Sequence, residues 1–124
     1  MYLNNRSSQK IIFVFYLITV VIISTMPSSM IKIGNLWKYD KYIHFFEYLI
    51  LGFLFLNCFS PFDYLPKILV SMIILIIVFA GIDEFIIQNF IGKYRYPDFY
   101  DWLMDVLGAS SGILIRNIIG FRLK

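Results

Sequence analysis

"IIFVFYLITVVIISTMPSSMI", residues 11–31, lies between Lys10 and Lys32 and contains no charged side chain. As a helix rising about 1.5 Å per residue, it would reach roughly 30 Å, the thickness of a bilayer's hydrocarbon core. Working outward, the composition agrees: of 124 residues, 60% are hydrophobic and only 15% charged, with a mean hydropathy of +0.75. That balance lies outside the range of soluble domains, so the chain belongs in a membrane. Backbone groups in lipid must be satisfied inside a helix or a closed barrel, and no segment alternates as a barrel strand does. The fold class that follows is all-α.

Breaks in the apolar pattern divide the chain into four predicted spans. Pro27 and the serines of "STMPSSM" close the first, at 11–26. The second covers 41–59 and ends at "SPFDYLP"; the third covers 68–90. "GKYRYPDFYD" forms the longest polar loop, and the fourth span covers 100–115, with a possible extension to Phe121. The expectation is a four-transmembrane-helix bundle, a single membrane domain over 1–124. A cleaved signal peptide is the competing reading of the N-terminus, because Arg6 and Lys10 precede the apolar run. No A-x-A-like site follows and the run exceeds a usual h-region, which favours a retained helix. Cys58 is the single cysteine, so an internal disulfide is excluded.

With four spans, Arg6, Lys10, Lys67, Arg116, Arg122 and Lys124 share the side of the termini, against Lys32, Lys38, Lys41, Lys93 and Arg95. The small excess, and the basic residues before the first helix, put both termini in the cytoplasm. Basic residues divided between two faces, with a net charge of +3, give no footprint for nucleic acid.

The acids are not divided. Asp40, Glu47, Asp83, Glu84, Asp98, Asp101 and Asp105 fall near one membrane face, and only Asp63 lies at the other. In "DKYIHFFEYLILG" (40–52), Asp40, His44, Glu47 and Tyr48 recur three and four residues apart, which makes a polar stripe on one helix face. Glu84 and Gln88 share a face, as do Asp101 and Asp105. A charge facing lipid at depth costs about 2.5–3.5 kcal/mol on insertion scales, so such groups turn inward and pair. Asp83 and Glu84 are about 100° apart on an α-helix and should not face the same point; Glu84 is the better candidate for an inward position. Asp40 also fits a plain helix cap. Gly108 and Gly112, in "GASSG" (108–112), form a GxxxG suited to close helix approach within the bundle.

Four stretches in this order resemble the VanZ-like family of small integral membrane proteins. They are "ISTMPSS" (23–29), "DKYIHFFEYLILG", "DEFIIQNF" (83–90) and "RYPDFYDWLMDVLGASSG" (95–112). The second is close to D-K-x-x-H-F-x-x-Y-x-x-L-G. The last is similar to R-x-x-x-x-x-D-x-x-x-(N/D)-x-x-G-x-x-x-G. The resemblance carries over Asp40, Lys41, His44, Tyr48, Asp83, Glu84, Gln88, Arg95, Asp101 and Asp105. It departs in four places: the interval from the acid pair to Gln88 is one residue longer, Ile87 stands where a polar residue often precedes that Gln, Lys93 and Tyr94 separate Gly92 from Arg95, and Asp105 stands where many members have Asn.

What the resemblance implies is a protein of the bacterial cytoplasmic membrane that lowers susceptibility to teicoplanin-type lipophilic glycopeptides, or that has a physiological task at the membrane surface of which such resistance is a side effect. The expected site is an extracytoplasmic polar pocket of Asp40, Lys41, His44, Glu47, Tyr48, Asp83, Glu84, Gln88, Arg95, Asp101 and Asp105. Its partners would be membrane lipids and a lipid-linked wall precursor or the drug itself; no cofactor and no metal is assigned. Two other readings stay open. One is a metal-dependent enzyme on a lipid-linked substrate, because Asp101-x-x-x-Asp105 with Asp83, Glu84 and His44 offers oxygen ligands. The other is a structural or assembly role.

Overall fold

The computed structural model describes residues 6–25, 40–58, 66–88 and 98–122. They form α1 (Arg6–Thr25), α2 (Asp40–Asn57), α3 (Pro66–Ile82) and α4 (Phe99–Arg122), with no strand among the described residues. At the end of α3 the chain continues into a π-helical turn, Asp83–Ile87, closed by a bond from the Gln88 N–H to the Asp83 carbonyl. Pro66 opens α3, where its missing N–H costs nothing because a first-turn donor has no partner inside the helix.

Three stretches are long and apolar enough to cross a membrane: Ser7–Thr25, Lys67–Ile87 and Phe99–Ile119. α2 has 18 residues, and Asp40, Lys41 and Glu47 among them place it outside that group. The four-span expectation is therefore met by length and composition in three helices. Their outer faces carry large apolar side chains, such as Phe15 at 69% and Leu75 at 60% exposure. Water would penalise such a surface, whereas hydrocarbon accepts it.

α2 and α4 share the most extensive interface of the bundle. Glycine explains how they come so close. A Cβ built on Gly108 would fall 2.0 Å from the Phe45 carbonyl oxygen, and one on Gly112 would fall 2.0 Å from that of Leu49. From the other side, a Cβ on Gly52 would lie 2.2 Å from the Ala109 oxygen. Backbone thus lies on backbone along this seam, the contact that small residues permit between helices in lipid. α3 packs on α4, partly through Trp102, whose Nε1 donates to the Ile77 carbonyl at 3.4 Å. α1 packs on α2 and on the π turn. The interior holds Val20, Tyr48, Leu51, Leu56, Met72, Ile76, Ala80, Ala109 and Ile113.

Candidate functional site

The polar residues gather at one end of this bundle, where α2 begins, α3 unwinds into its π turn and α4 begins. A π turn holds one more residue than an α turn and recurs at functional sites. Asp83 and Glu84, the first two residues of this one, are both buried, at 1% and 0% exposure, each toward a different neighbour.

Asp83 faces α1 and α2. Its Oδ2 accepts from Ser24 Oγ at 2.8 Å and from Tyr48 OH at 2.7 Å. Ser24 is a partner that the site reading did not name, although it lies inside the "ISTMPSS" stretch. Glu84 faces the start of α4. Its Oε2 accepts from Gln88 Nε2 at 2.7 Å and its Oε1 from the Asp98 backbone N–H at 2.9 Å.

His44 lies between two acids of α4. Its Nδ1 is 2.8 Å from Asp105 Oδ1, and its Nε2 is 3.7 Å from Asp101 Oδ2. His44, Asp101 and Asp105 are all buried. One ligand atom each from His44, Glu84 and Asp101 lie within 4.8 Å of one another, a grouping able to hold a metal ion. Lys41, half-exposed at the rim, binds Asp101 and reaches Asp98 Oδ2 at 2.7 Å. Asp98 was legible among the clustered acids but not as a partner of Lys41; its position three residues before Asp101 is the signal.

Asp98 lies just outside the spans, and the Lys41 ammonium holds its carboxyl below the usual range, against the opposing effect of partial burial. A carboxyl depressed in the folded state contributes stability above its unfolded pKa, about 4, and loses it as the pH falls through the folded value. Because both partners are about 40% exposed, the loss in Asp98→Asn should be below about 1 kcal/mol at pH 7. Thermal unfolding in detergent would show the gap from wild type at pH 7 and its narrowing as the pH falls below about 4. A gap that persists at low pH would contradict this account of the pair.

Glu47 is half-buried beside a groove of about 420 Å³ that Ile23, Tyr42, Ile43, Phe46 and Ile50 also line, and its backbone oxygen accepts from Tyr16 OH at 2.7 Å. It belongs to the contact of α2 with α1 more than to the His44 cluster. Arg95 lies outside the described residues, as does the side chain of Asp40. Of the other members, Lys41, His44, Asp101 and Asp105 form one group that Glu84 and Gln88 reach through Asp98, while Asp83 and Tyr48 bond to each other and Asp83 to Ser24.

A second polar group, which the sequence reading missed, occupies the opposite end. Arg116 Nε donates to Asn57 Oδ1 at 2.6 Å, Asn57 donates to Gln9, and the Arg116 guanidinium lies 5.9 Å from the Phe53 ring centroid. These residues belong to no motif. Their signal is only that each is a polar residue at the end of an apolar run.

No curated protein and no solved structure matches the chain. A family model, VanZ/LLP1, matches residues 3–120. That match covers α1, α2, α3, all but the last two residues of α4 and each residue of the buried network, and on it the chain belongs to the VanZ/LLP1 family.

Proposed function

We propose that the chain crosses the bacterial cytoplasmic membrane four times with both termini inside, so that the polar end of the bundle meets the outer leaflet. There it binds a lipid headgroup, a lipid-linked wall precursor or a lipophilic glycopeptide, and so lowers susceptibility to teicoplanin-type drugs. The observation that carries this reading is the burial of His44, Glu84, Asp101 and Asp105 together at one end of the bundle. Ionisable groups inside a membrane segment are costly and by default mark a site. Family membership supports the envelope role, and Lys41 at the rim supplies an accessible cation beside the buried acids.

The test is drug susceptibility of a sensitive host making wild type or Glu84→Gln at matched membrane abundance, with vancomycin as the less lipophilic control. We expect wild type to protect against teicoplanin more than against vancomycin, and Glu84→Gln to lose most of that protection. Protection retained in full by Glu84→Gln would remove the buried acid from the mechanism. No protection by wild type would remove the drug-related role in that host.

A further inference from the structure

We infer that His44, Glu84 and Asp101 form a binding site for one divalent transition-metal ion, preferentially Zn²⁺, at the junction of α2, the π turn and α4. The cation would sit in the site proposed above, and its role there rests on that reading; its binding can be tested without any drug phenotype.

The donor set comes first. One imidazole nitrogen and two carboxylate oxygens, with a fourth position left over, are the ligand types of open Zn²⁺ sites; Mn²⁺ accepts the same donors, whereas Mg²⁺ and Ca²⁺ prefer oxygen alone. Ligand atoms at 2.0–2.2 Å from a tetrahedral Zn²⁺ lie about 3.3 Å apart. The three donors here are already within 4.8 Å of one another, so side-chain adjustment without backbone movement would close them on an ion.

The surroundings are built in the same sense. Metal-ligating histidines donate their other ring N–H to a carboxylate or carbonyl, and ligating carboxylates are themselves held by hydrogen bonds. His44 has Asp105 on Nδ1, which leaves Nε2 on the side of Asp101. Asp101 has Lys41 on Oδ1, with Oδ2 toward His44. Glu84 is held by Gln88 and the Asp98 N–H. Each candidate ligand is oriented by its own partner.

An independent observation concerns Asp105. Its side chain is fully buried, and Oδ2 has no hydrogen-bond partner among the described residues. It shares a carboxyl group with the oxygen that holds His44, so an unmatched acceptor lies inside the same group of side chains. Three carboxyls, those of Glu84, Asp101 and Asp105, are buried around one imidazole, and among the described residues Lys41 is the cation that reaches them from the rim. A divalent cation would balance that excess. It would also resolve a conflict in the binding reading, because a nest of acids repels a phosphate or carboxylate headgroup unless a metal ion lies between them.

The experiment uses the full chain in detergent, free of any polyhistidine tag, stripped with chelator and then titrated calorimetrically with Zn²⁺ and with Mn²⁺. Co²⁺ absorption would report imidazole–carboxylate coordination. We expect one Zn²⁺ per chain, bound more tightly than Mn²⁺. His44→Gln and Glu84→Gln should each weaken binding at least 100-fold, and Asp105→Asn about 10- to 100-fold through the orientation of His44. Cys58→Ser, which removes the sole thiol far from the cluster, should bind as wild type does. Size-exclusion profiles and melting temperatures would identify a variant that fails to fold, and Asp101→Asn then provides a second test. Absence of saturable binding by wild type, or binding unchanged by both His44→Gln and Glu84→Gln in folded protein, would overturn the assignment. Metal binding without drug protection would leave the site standing and remove the drug reading; protection without metal binding would do the reverse.

Discussion

Gly108→Val is expected to separate α2 from α4 and leave little folded protein in the membrane. The first added carbon alone would fall 2.0 Å from the Phe45 carbonyl oxygen, 2.9 Å from its carbon and 3.1 Å from Leu49 N. These are backbone atoms, so no rotamer change relieves the contact; the helices must move apart. Overpacking of a close-packed interior costs about 1–3 kcal/mol when side chains can yield, and here they cannot, which places the expected loss at or above about 3 kcal/mol. The loss spreads beyond the seam. Ala109 and Ile113 are fully buried on the same helix, and His44 on α2 must reach Asp105 on α4. Gly112→Val should behave alike, because Leu49 O lies 2.0 Å from the position of its Cβ. Leu107→Val, at a residue 55% exposed to lipid, should stay within about 0.5 kcal/mol of wild type. Membrane abundance and thermal aggregation in detergent would measure all three. Near-wild-type stability of Gly108→Val would mean that the seam is looser than its backbone contacts state.

The seam shows why part of this structure is legible in the sequence. A charge-free run of 21 residues decides the class, because length and hydropathy act locally and need no knowledge of partners. The four described helices overlap the four expected spans, although α1 begins at Arg6, ahead of 11, and α4 runs to Arg122, beyond 115. GxxxG in "GASSG" announces a close approach, but not that Gly52 completes it from the facing helix. The polar stripes of α2 and α4 are visible as spacings, while the pairing of His44 with Asp105, 61 residues apart, depends on how two helices are set in register. Asp83 shows the limit most clearly. Its spacing from Glu84 says that the two face different ways, but not that Asp83 meets Ser24 of α1 and Tyr48 of α2, 59 and 35 residues away, nor that a π turn begins there. Gln9, Asn57 and Arg116 stand at the far end of the scale, since three lone polar residues from three helices meet only in space.

His44→Leu should cost about 3–5 kcal/mol, and the double variant His44→Leu with Asp105→Leu should recover much of that loss. Asp105 is fully buried and its Oδ1 is 2.8 Å from the imidazole. Removing one partner of such a pair strands a carboxyl where no water can reach it, which is the expensive outcome. Replacing both by apolar groups of suitable volume removes the polar requirement of that pair and is often neutral or stabilising. The sign and size of the coupling follow from a double-mutant cycle on unfolding in detergent, with Asp105→Leu as the fourth corner. Additive effects would show that the two side chains do not act as a pair. The double variant also separates fastening from function. If His44 and Asp105 served only to hold α2 against α4, an apolar pair that restores stability would restore protection against teicoplanin too. If the imidazole is a ligand oriented by Asp105, the same variant will be stable, will bind no Zn²⁺, and will protect no better than His44→Leu. Such a chain, folded but inactive, would show that the buried charges are kept for the chemistry they perform and not for the stability they contribute.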